Sequence, residues 1–215
     1  MPDLSFRVEA AGVLPYAASP SLVFKLHIEN RGGEDIRSIL LRSQIQIVPL
    51  LRHYNPREQE RLFELYGPPA HWATSLKTLL WANTVELAPA FRGSTVIDLP
   101  LPCTYDFEVA CAKYFHGLEE GEVPIEFLFS GSVFYAGEFG LQVEQIPWDK
   151  EAKFRLPIQV WQDMMDQYFP NSAWIRLRKD TFDQLYAYKA SRGLHDWDAA
   201  LERLLNSLGQ EMGAR

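Results

Sequence analysis

The residues best suited to metal chemistry lie in one segment, CTYDFEVACAKYFHGLEEGEVP, residues 103–124. Cys103, Cys111 and His116 are side-chain types that zinc and other borderline metals prefer. Their spacing departs from zinc sites, in which paired ligands typically stand two to four residues apart. We therefore treat these three residues as weak metal candidates, and the sequence predicts no bound cofactor.

Two carboxylates in the same segment, Asp106 and Glu108, would share one face of an extended strand, opposite Tyr105 and Cys111. Such a pair can serve acid–base catalysis or hold a cation, although a solvated strand face is the commoner role. The sequence contains no phosphate loop, dinucleotide fingerprint, nucleophile elbow or zinc ribbon. We predict that the protein is not an enzyme.

A different chemistry is suggested by EQIPWDKEAKFRLP, residues 144–157, which mixes aromatic and charged residues. Tryptophan and arginine are enriched at protein-binding hot spots, so we predict a partner-binding surface that includes Trp148, Phe154 and Trp161. The alternative is that Trp148 and Trp161 cover the seam between two parts of the chain.

The elements that position these residues are mainly strands over the first 156 residues. SLVFKLHIEN, residues 21–30, alternates apolar and polar side chains, as half-buried antiparallel strands do. A short helical insertion is predicted near residues 56–80, where Asn55 and Glu58 have capping-box spacing around Pro56. We also predict a second short helix in ATSLKTLLWAN, residues 73–83.

The apolar period becomes helical at PIQVWQDMMDQYF, residues 157–169. The stretch that follows, residues 174–205, predicts a strand and two helices: Asp180 can cap the first helix, which ends at Gly193, and Asp196 can cap the second. This order resembles the ribbon-helix-helix modules of bacterial repressors and antitoxins. Trp174 would occupy the face that reads DNA, and residues 157–215 carry seven basic against eight acidic residues. We therefore favour a packing or dimerisation element and add Trp174, Arg176 and Arg178 to the partner-binding candidates.

Composition sets limits on fold and partners. The net charge of −7 argues against nucleic acid and anionic membranes as partners. The N-terminus lacks a basic start followed by a long apolar run, so we expect a cytoplasmic protein without membrane insertion. The predicted fold is α+β: an antiparallel β-sandwich, Ig-like or C2-like, over residues 1–156, and a helical extension over residues 157–215.

Three segments carry a resemblance that spans nearly the whole chain: LPLPCTYDFEVACAKYFHGLEEGEVPIEFLFSGSVFY, LQVEQIPWDKEAKFRLPIQVWQDMMDQYFPNSAWIRL and LYAYKASRGLHDWDAALERLL. With them the chain resembles an uncharacterised bacterial family, a domain of unknown function often encoded beside actinobacterial-type nickel–iron hydrogenase subunits and maturation factors. The resemblance implies a hydrogenase accessory protein with those subunits or factors as partners, and it implies no catalytic residues.

Two alternatives stay open beside this non-catalytic accessory role. The first is a transcriptional regulator that forms a homodimer through the C-terminal strand–helix–helix unit. The second is a metal-handling protein that uses Cys103, Cys111 and His116.

Overall fold

The computed structural model describes residues 2–103, 109–137, 140–172 and 177–213 of the 215-residue chain. The chain divides into two compact units, Met1–Asn171 and Ser172–Arg215. Within the described residues, no helix is both long and apolar enough to cross a bilayer.

The described residues of the first unit form eight strands: β1 (Leu4–Val13), β2 (Ser21–Asn30), β3 (Ile36–Ile47), β4 (Leu79–Ala88), β5 (Ser94–Pro102), β6 (Glu122–Gly137), β7 (Gly140–Gln145) and β8 (Glu151–Pro157). A three-stranded sheet has the order β1-β2-β5. A five-stranded sheet has the order β4-β3-β6-β7, and its fifth strand, β8, also pairs with β6. Strand β8 pairs with residues 122–128 of β6, and β7 pairs with residues 132–137 of the same strand. Every pairing among these strands is antiparallel.

The two sheets pack face to face around one apolar core. Alternation places the apolar side chains of β2 inward, where Phe24 is fully buried and meets Phe127 of the other sheet edge-on at 5.1 Å. Phe6 of β1 stacks on Phe129 of β6 at 4.4 Å. The prediction of an antiparallel β-sandwich in an α+β chain is confirmed.

Short helices α1 (Pro56–Arg61), α2 (Phe63–Tyr66) and α3 (Trp72–Ser75) connect β3 to β4. The predicted capping box is present, because Asn55 Oδ1 accepts from the Glu58 N–H at 2.9 Å and the Asn55 N–H donates to the Glu58 carboxylate at 3.1 Å. The second helix predicted over residues 73–83 is wrong beyond Ser75. Residues from Leu79 onward form strand β4, because pairing with β3 outweighs the weak local helix preference.

Helix α4 (Val109–Gly117) corrects the strand predicted for the Cys111 segment. Buried side chains recur at helical spacing in and directly after this helix: Cys111, Tyr114 and Phe115 within it, and Leu118 just beyond its end. Asp106 and Glu108 lie outside the described residues, so the predicted carboxylate pair has no structural description here.

Helix α5 (Ile158–Tyr168) follows Pro157 directly and belongs to the first unit. The boundary between the units therefore falls after Asn171, whereas the sequence placed it after residue 156. The reason is packing: Ile158, Trp161 and Met164 are buried against the sandwich, and the helix lies beside β1, β2 and β8.

The second unit contains helices α6 (Lys179–Ser191) and α7 (Trp197–Gly213), which pack against each other. Gly193 ends α6 with a φ of 62°, and Asp196 caps α7 by accepting from the Ala199 N–H at 2.7 Å, both as predicted. The predicted Asp180 cap is wrong, because α6 begins one residue earlier and Asp180 lies in its first turn, with Arg178 at the N-cap position. Three of the five residues of the strand predicted over 174–178, residues 174–176, lie outside the described residues.

Candidate interaction surfaces

The three weak metal candidates occupy different surroundings. The Cys103 thiol lies beside the Leu101 carbonyl at 3.5 Å, and the buried Cys111 thiol lies beside the Leu80 carbonyl at 3.7 Å. Cys111 and His116 stand five residues apart on α4, so their side chains diverge by about 140° around the helix axis. Within the described residues, no three His, Cys, Asp or Glu side chains form a group that could hold a metal ion.

His116 is an exposed residue with one side of its ring against helix α5. Its ring meets Trp161 edge-on at 4.9 Å, and burial lowers the pKa of its imidazole below the ordinary value. The neutral ring is therefore favoured at physiological pH.

The predicted aromatic surface separates into one exposed residue and two interior ones. Trp148 is 93% exposed in the turn between β7 and β8. Phe154 points into the sandwich and meets Phe24 edge-on at 6.0 Å. Trp161 is only 5% exposed and stacks on Phe115 at 5.1 Å, so it belongs to the core. Of these three residues, Trp148 alone is placed to contact a partner.

The remaining predicted partner residues lie near the start of the second unit. Trp174 and Arg176 are outside the described residues. Arg178 is exposed at the N-cap of α6 and forms an ion pair with Asp180 at 3.4 Å.

An exposed apolar stripe on the outer face of the five-stranded sheet was not predicted. Leu40 on β3 and Leu87 on β4 are directly paired, and both are exposed. Two residues along the same face, the exposed Val85 of β4 is paired with Arg42 of β3. The period-2 alternation of β4 carried the signal, but the helix predicted for its first half concealed it. Contiguous apolar surface of this kind marks interaction sites more often than single exposed residues do.

A second exposed cluster lies in the helical unit. The rings of Phe182 and Tyr186 on α6 surround Trp197 on α7 at centroid distances of 5.3 and 6.2 Å. Lys189 Nζ lies 5.6 Å from the Trp197 ring, within cation–π range. All three rings remain more than a third exposed.

A buried ion pair holds the loops at one end of the sandwich. Arg52 Nη2 lies 2.8 Å from Glu58 Oε1, and the two side chains are 7% and 2% exposed. Arg52 also donates to the Glu120 and Glu122 carbonyls, and the Glu119 N–H donates to Glu58. These bonds fasten the acidic turn before β6 to helix α1.

The electrostatics of this ion pair favour the charged carboxylate. Burial acts to raise the pKa of Glu58, but hydrogen bonds from Arg52 and from the Glu119 and Asn55 N–H groups outweigh it. The pKa of Glu58 is therefore lower than its ordinary value.

Three tyrosines form a cluster near the ion pair: Tyr66 and Tyr114 are buried, and Tyr54 is half-buried with its ring 5.2 Å from the Arg52 guanidinium. Tyr54 donates to the Pro49 carbonyl at 2.8 Å, so the Tyr114 hydroxyl, 2.8 Å from that of Tyr54, is the donor between the two phenols. Burial raises the pKa of Tyr54 to about 12 and raises those of Tyr66 and Tyr114 further. All three phenols are neutral at physiological pH. Tyr54 and Tyr114 form hydrogen bonds, whereas the covered Tyr66 hydroxyl has no hydrogen-bond partner among the described residues and packs against the Trp72 and Tyr114 rings.

A sequence model of a family of unknown function, DUF6084, matches residues 1–213 of the chain. The chain belongs to this family. No curated protein matches its sequence.

Several solved structures share low similarity with the DUF6084 chain. The CARDB domain of PF1109 from Pyrococcus furiosus, solved in complex with di-metal ions, is 14% identical, over 73% of this chain and 87% of that one, with a TM-score of 0.28. A β-glucosidase from Kluyveromyces marxianus is 10% identical, over 72% of this chain and 15% of that one, with a TM-score of 0.30. β-Glucosidase 3B from Thermotoga neapolitana is 16% identical, over 72% and 17%, with a TM-score of 0.26.

The DUF6084 chain thus presents three exposed apolar features on ordered elements: the Trp148 turn, the Leu40–Val85–Leu87 stripe and the Phe182–Tyr186–Trp197 cluster. Each one offers apolar area with polar groups at its margin, as protein-binding surfaces do. The ionisable side chains whose pKa values are changed most are the phenols of Tyr54, Tyr66 and Tyr114, which burial keeps neutral.

Proposed function

We propose that this DUF6084 protein is a non-catalytic interaction protein that serves the assembly or function of nickel–iron hydrogenases as an accessory factor. The observation that carries the proposal is Trp148, a large aromatic side chain that is 93% exposed on an ordered turn. Tryptophan is among the residues most enriched at binding hot spots.

The turn that carries Trp148 is held in place on both sides. The Lys150 N–H donates to the Pro147 carbonyl at 3.3 Å, and the Phe129 N–H of β6 donates to the Lys150 carbonyl at 2.9 Å. Lys150 also reaches Asp3 at 3.3 Å. A side chain presented on a constrained turn loses less conformational entropy on binding than one on a mobile loop.

The choice of hydrogenase components as partners rests on the sequence. The segments that resemble the hydrogenase-associated family include IPWDK, residues 146–150, which is the turn itself. The proposal therefore assigns the recognition of hydrogenase subunits or maturation factors to the surface around Trp148.

The test is co-purification of the tagged full chain from its native host, followed by binding to the purified components it recovers. We expect hydrogenase subunits or maturation factors with the wild type, and their loss with Trp148→Ala. Tyr16→Ala is the matched control, because Tyr16 is also fully exposed, in the loop between β1 and β2. It should retain the partners.

Two results would contradict the proposal. One is equal recovery of the same partners by the wild type and Trp148→Ala. The other is substrate turnover by the purified protein that a point change in the buried tyrosine cluster abolishes.

A further inference from the structure

The edge strands of the sandwich differ in their protection against pairing with other chains. β5 carries Pro100 and Pro102, which remove backbone donors, and β1 has a bulge at Glu9. On the outer face of β8, Glu151, Lys153 and Arg155 alternate, and β7 is only six residues long. Prolines, bulges, charges and short length are the usual means of blocking an edge.

Strand β4 has fewer of these protections than the other edges: it contains neither proline nor lysine, and its one charged side chain is Glu86, on the inner face. Among the described residues it pairs with β3 on one side only. Its bulge lies at Trp81, between the pairs of Ala82 with Ile45 and of Leu80 with Gln46. Residues 82–88 therefore form a regular edge, about 23 Å long at ~3.3 Å per residue, with Val85 and Leu87 exposed on its outer face.

Two polar side chains on the inner face of this edge, Thr84 and Glu86, lack a partner of the kind that would offset their burial within the described residues. The Thr84 hydroxyl oxygen is covered and has no hydrogen-bond partner among the described residues. Glu86, two residues along, forms no ion pair within the described part of the chain, and burial raises the pKa of its carboxyl. An uncompensated buried hydroxyl and a partly desolvated carboxylate both disfavour the isolated edge.

We propose that β4 pairs antiparallel with β4 of a second copy of this chain, about a twofold axis at Val85. In this register Thr84 stands directly opposite Glu86 of the second copy, and the reverse pair forms across the axis. Directly opposed side chains lie within about 5.5 Å at Cβ, close enough for the hydroxyl to donate to the carboxylate. The same register places Val85 against Val85 on the outer face.

Neighbouring registers are less favourable. An axis at Glu86 opposes two like charges, which destabilises a strand pair. An axis at Thr84 brings Leu87 opposite the bulge at Trp81 and leaves Glu86 facing Ala82. The axis at Val85 satisfies both uncompensated groups and joins the two outer apolar stripes into one surface.

The test is sedimentation velocity of the full chain from low micromolar concentration upward. We expect a reversible dimer. Val85→Lys should raise its dissociation constant at least about 100-fold, because two ammonium groups would meet on the axis. Val143→Lys is the matched control: Val143 is 52% exposed on the outer face of β7, against 58% for Val85. It should leave the dimer unchanged.

A second pair of variants tests the register. Thr84→Val removes the hydroxyl but keeps the shape, and it should raise the dissociation constant about tenfold or more. Thr84→Ser retains a donor and should stay close to the wild type. Circular dichroism spectra that match the wild type would establish that each variant is folded.

Two outcomes would overturn the proposal. One is a chain that stays monomeric at every concentration; the other is a dimer that Val85→Lys leaves intact, for example one that a change at Trp197 disrupts. The pairing does not rest on the proposed accessory function. Loss of hydrogenase binding in Trp148→Ala and loss of the dimer in Val85→Lys are separate results.

Discussion

The two units of the chain have similar kinds of apolar residues but bury them to very different degrees. In the sandwich, side chains from both sheets and from α4 and α5 form one continuous buried core. In the helical unit, Ala200 is the one fully buried side chain among those described, while Phe182, Tyr186 and Trp197 remain partly exposed. Two sheets can enclose an interior between them, whereas a pair of helices leaves most of its apolar surface uncovered.

This difference implies an uneven distribution of stability. Buried apolar area is the dominant favourable term in folding, so cooperative unfolding should be governed by the sandwich. Helices α6 and α7 should open locally at lower free energy. The four predictions below follow from this contrast between buried and exposed groups, within the sandwich and between the units, from the largest expected effect to the smallest.

The largest effect should follow from Phe127→Ala in the sandwich core. Phe127 is fully buried and contacts Phe24 and Phe129, so its truncation should lower the free energy of unfolding by about 3–5 kcal/mol. Phe182→Ala, the same change at a partly exposed ring of α6, should alter it by less than about 1 kcal/mol. Urea denaturation of both variants measures the difference. Equal losses would contradict the contrast.

A smaller effect is expected from Glu58→Ala, which leaves the Arg52 charge buried without its partner. The free energy of unfolding should fall by about 3 kcal/mol. Asp98→Ala, which breaks the exposed ion pair with Lys25, should cost less than about 1 kcal/mol. Denaturant titrations of the two variants against the wild type provide the measurement.

The Glu58 pair also predicts a pH dependence. Because the pKa of Glu58 is lowered in the folded state, its stabilisation is fully present above the ordinary glutamate value of 4.5. The stabilisation is lost as the pH falls below that value, through the lowered pKa. The gap in stability between the wild type and Glu58→Gln should therefore shrink on acidification, and a constant gap would show that the carboxylate charge contributes little.

The smallest effect is expected from Asp196→Ala, which removes the N-cap of α7. The loss should be about 1 kcal/mol in the local opening free energy of α7, measured by amide hydrogen exchange, because the Ala199 N–H loses its acceptor. Urea unfolding of the sandwich should stay unchanged. Glu202→Ala, within the same helix, serves as control. A shift of the sandwich transition would mean that the two units unfold together.

The sequence predicted elements well where local chemistry decides the conformation. The capping box of Asn55 and Glu58, the Gly193 stop and the Asp196 cap depend on residues within a few positions of each other, and all are present. The alternation of β2 likewise requires only that one face of a strand be buried.

The failures occurred where distant residues decide. Cys111 and Tyr114 occur in a segment that also alternates, and contacts with the end of the sandwich select the helix there. Leu80 and Trp81 suit a helix locally, and pairing with β3 selects the strand. Trp148 and Trp161 are chemically identical, yet one is exposed on a turn and the other is stacked on Phe115.

By itself, the sequence determined the antiparallel sandwich, the position of its helical insertion and the ends of several helices, because hydrophobic period and capping chemistry act over short distances. The tertiary structure alone decided which aromatic residues face outward, that α5 belongs to the sandwich, and that β4 is an edge strand with Thr84 and Glu86 on its inner face. Those features depend on which strands and helices meet in space, and such contacts join residues far apart in the chain.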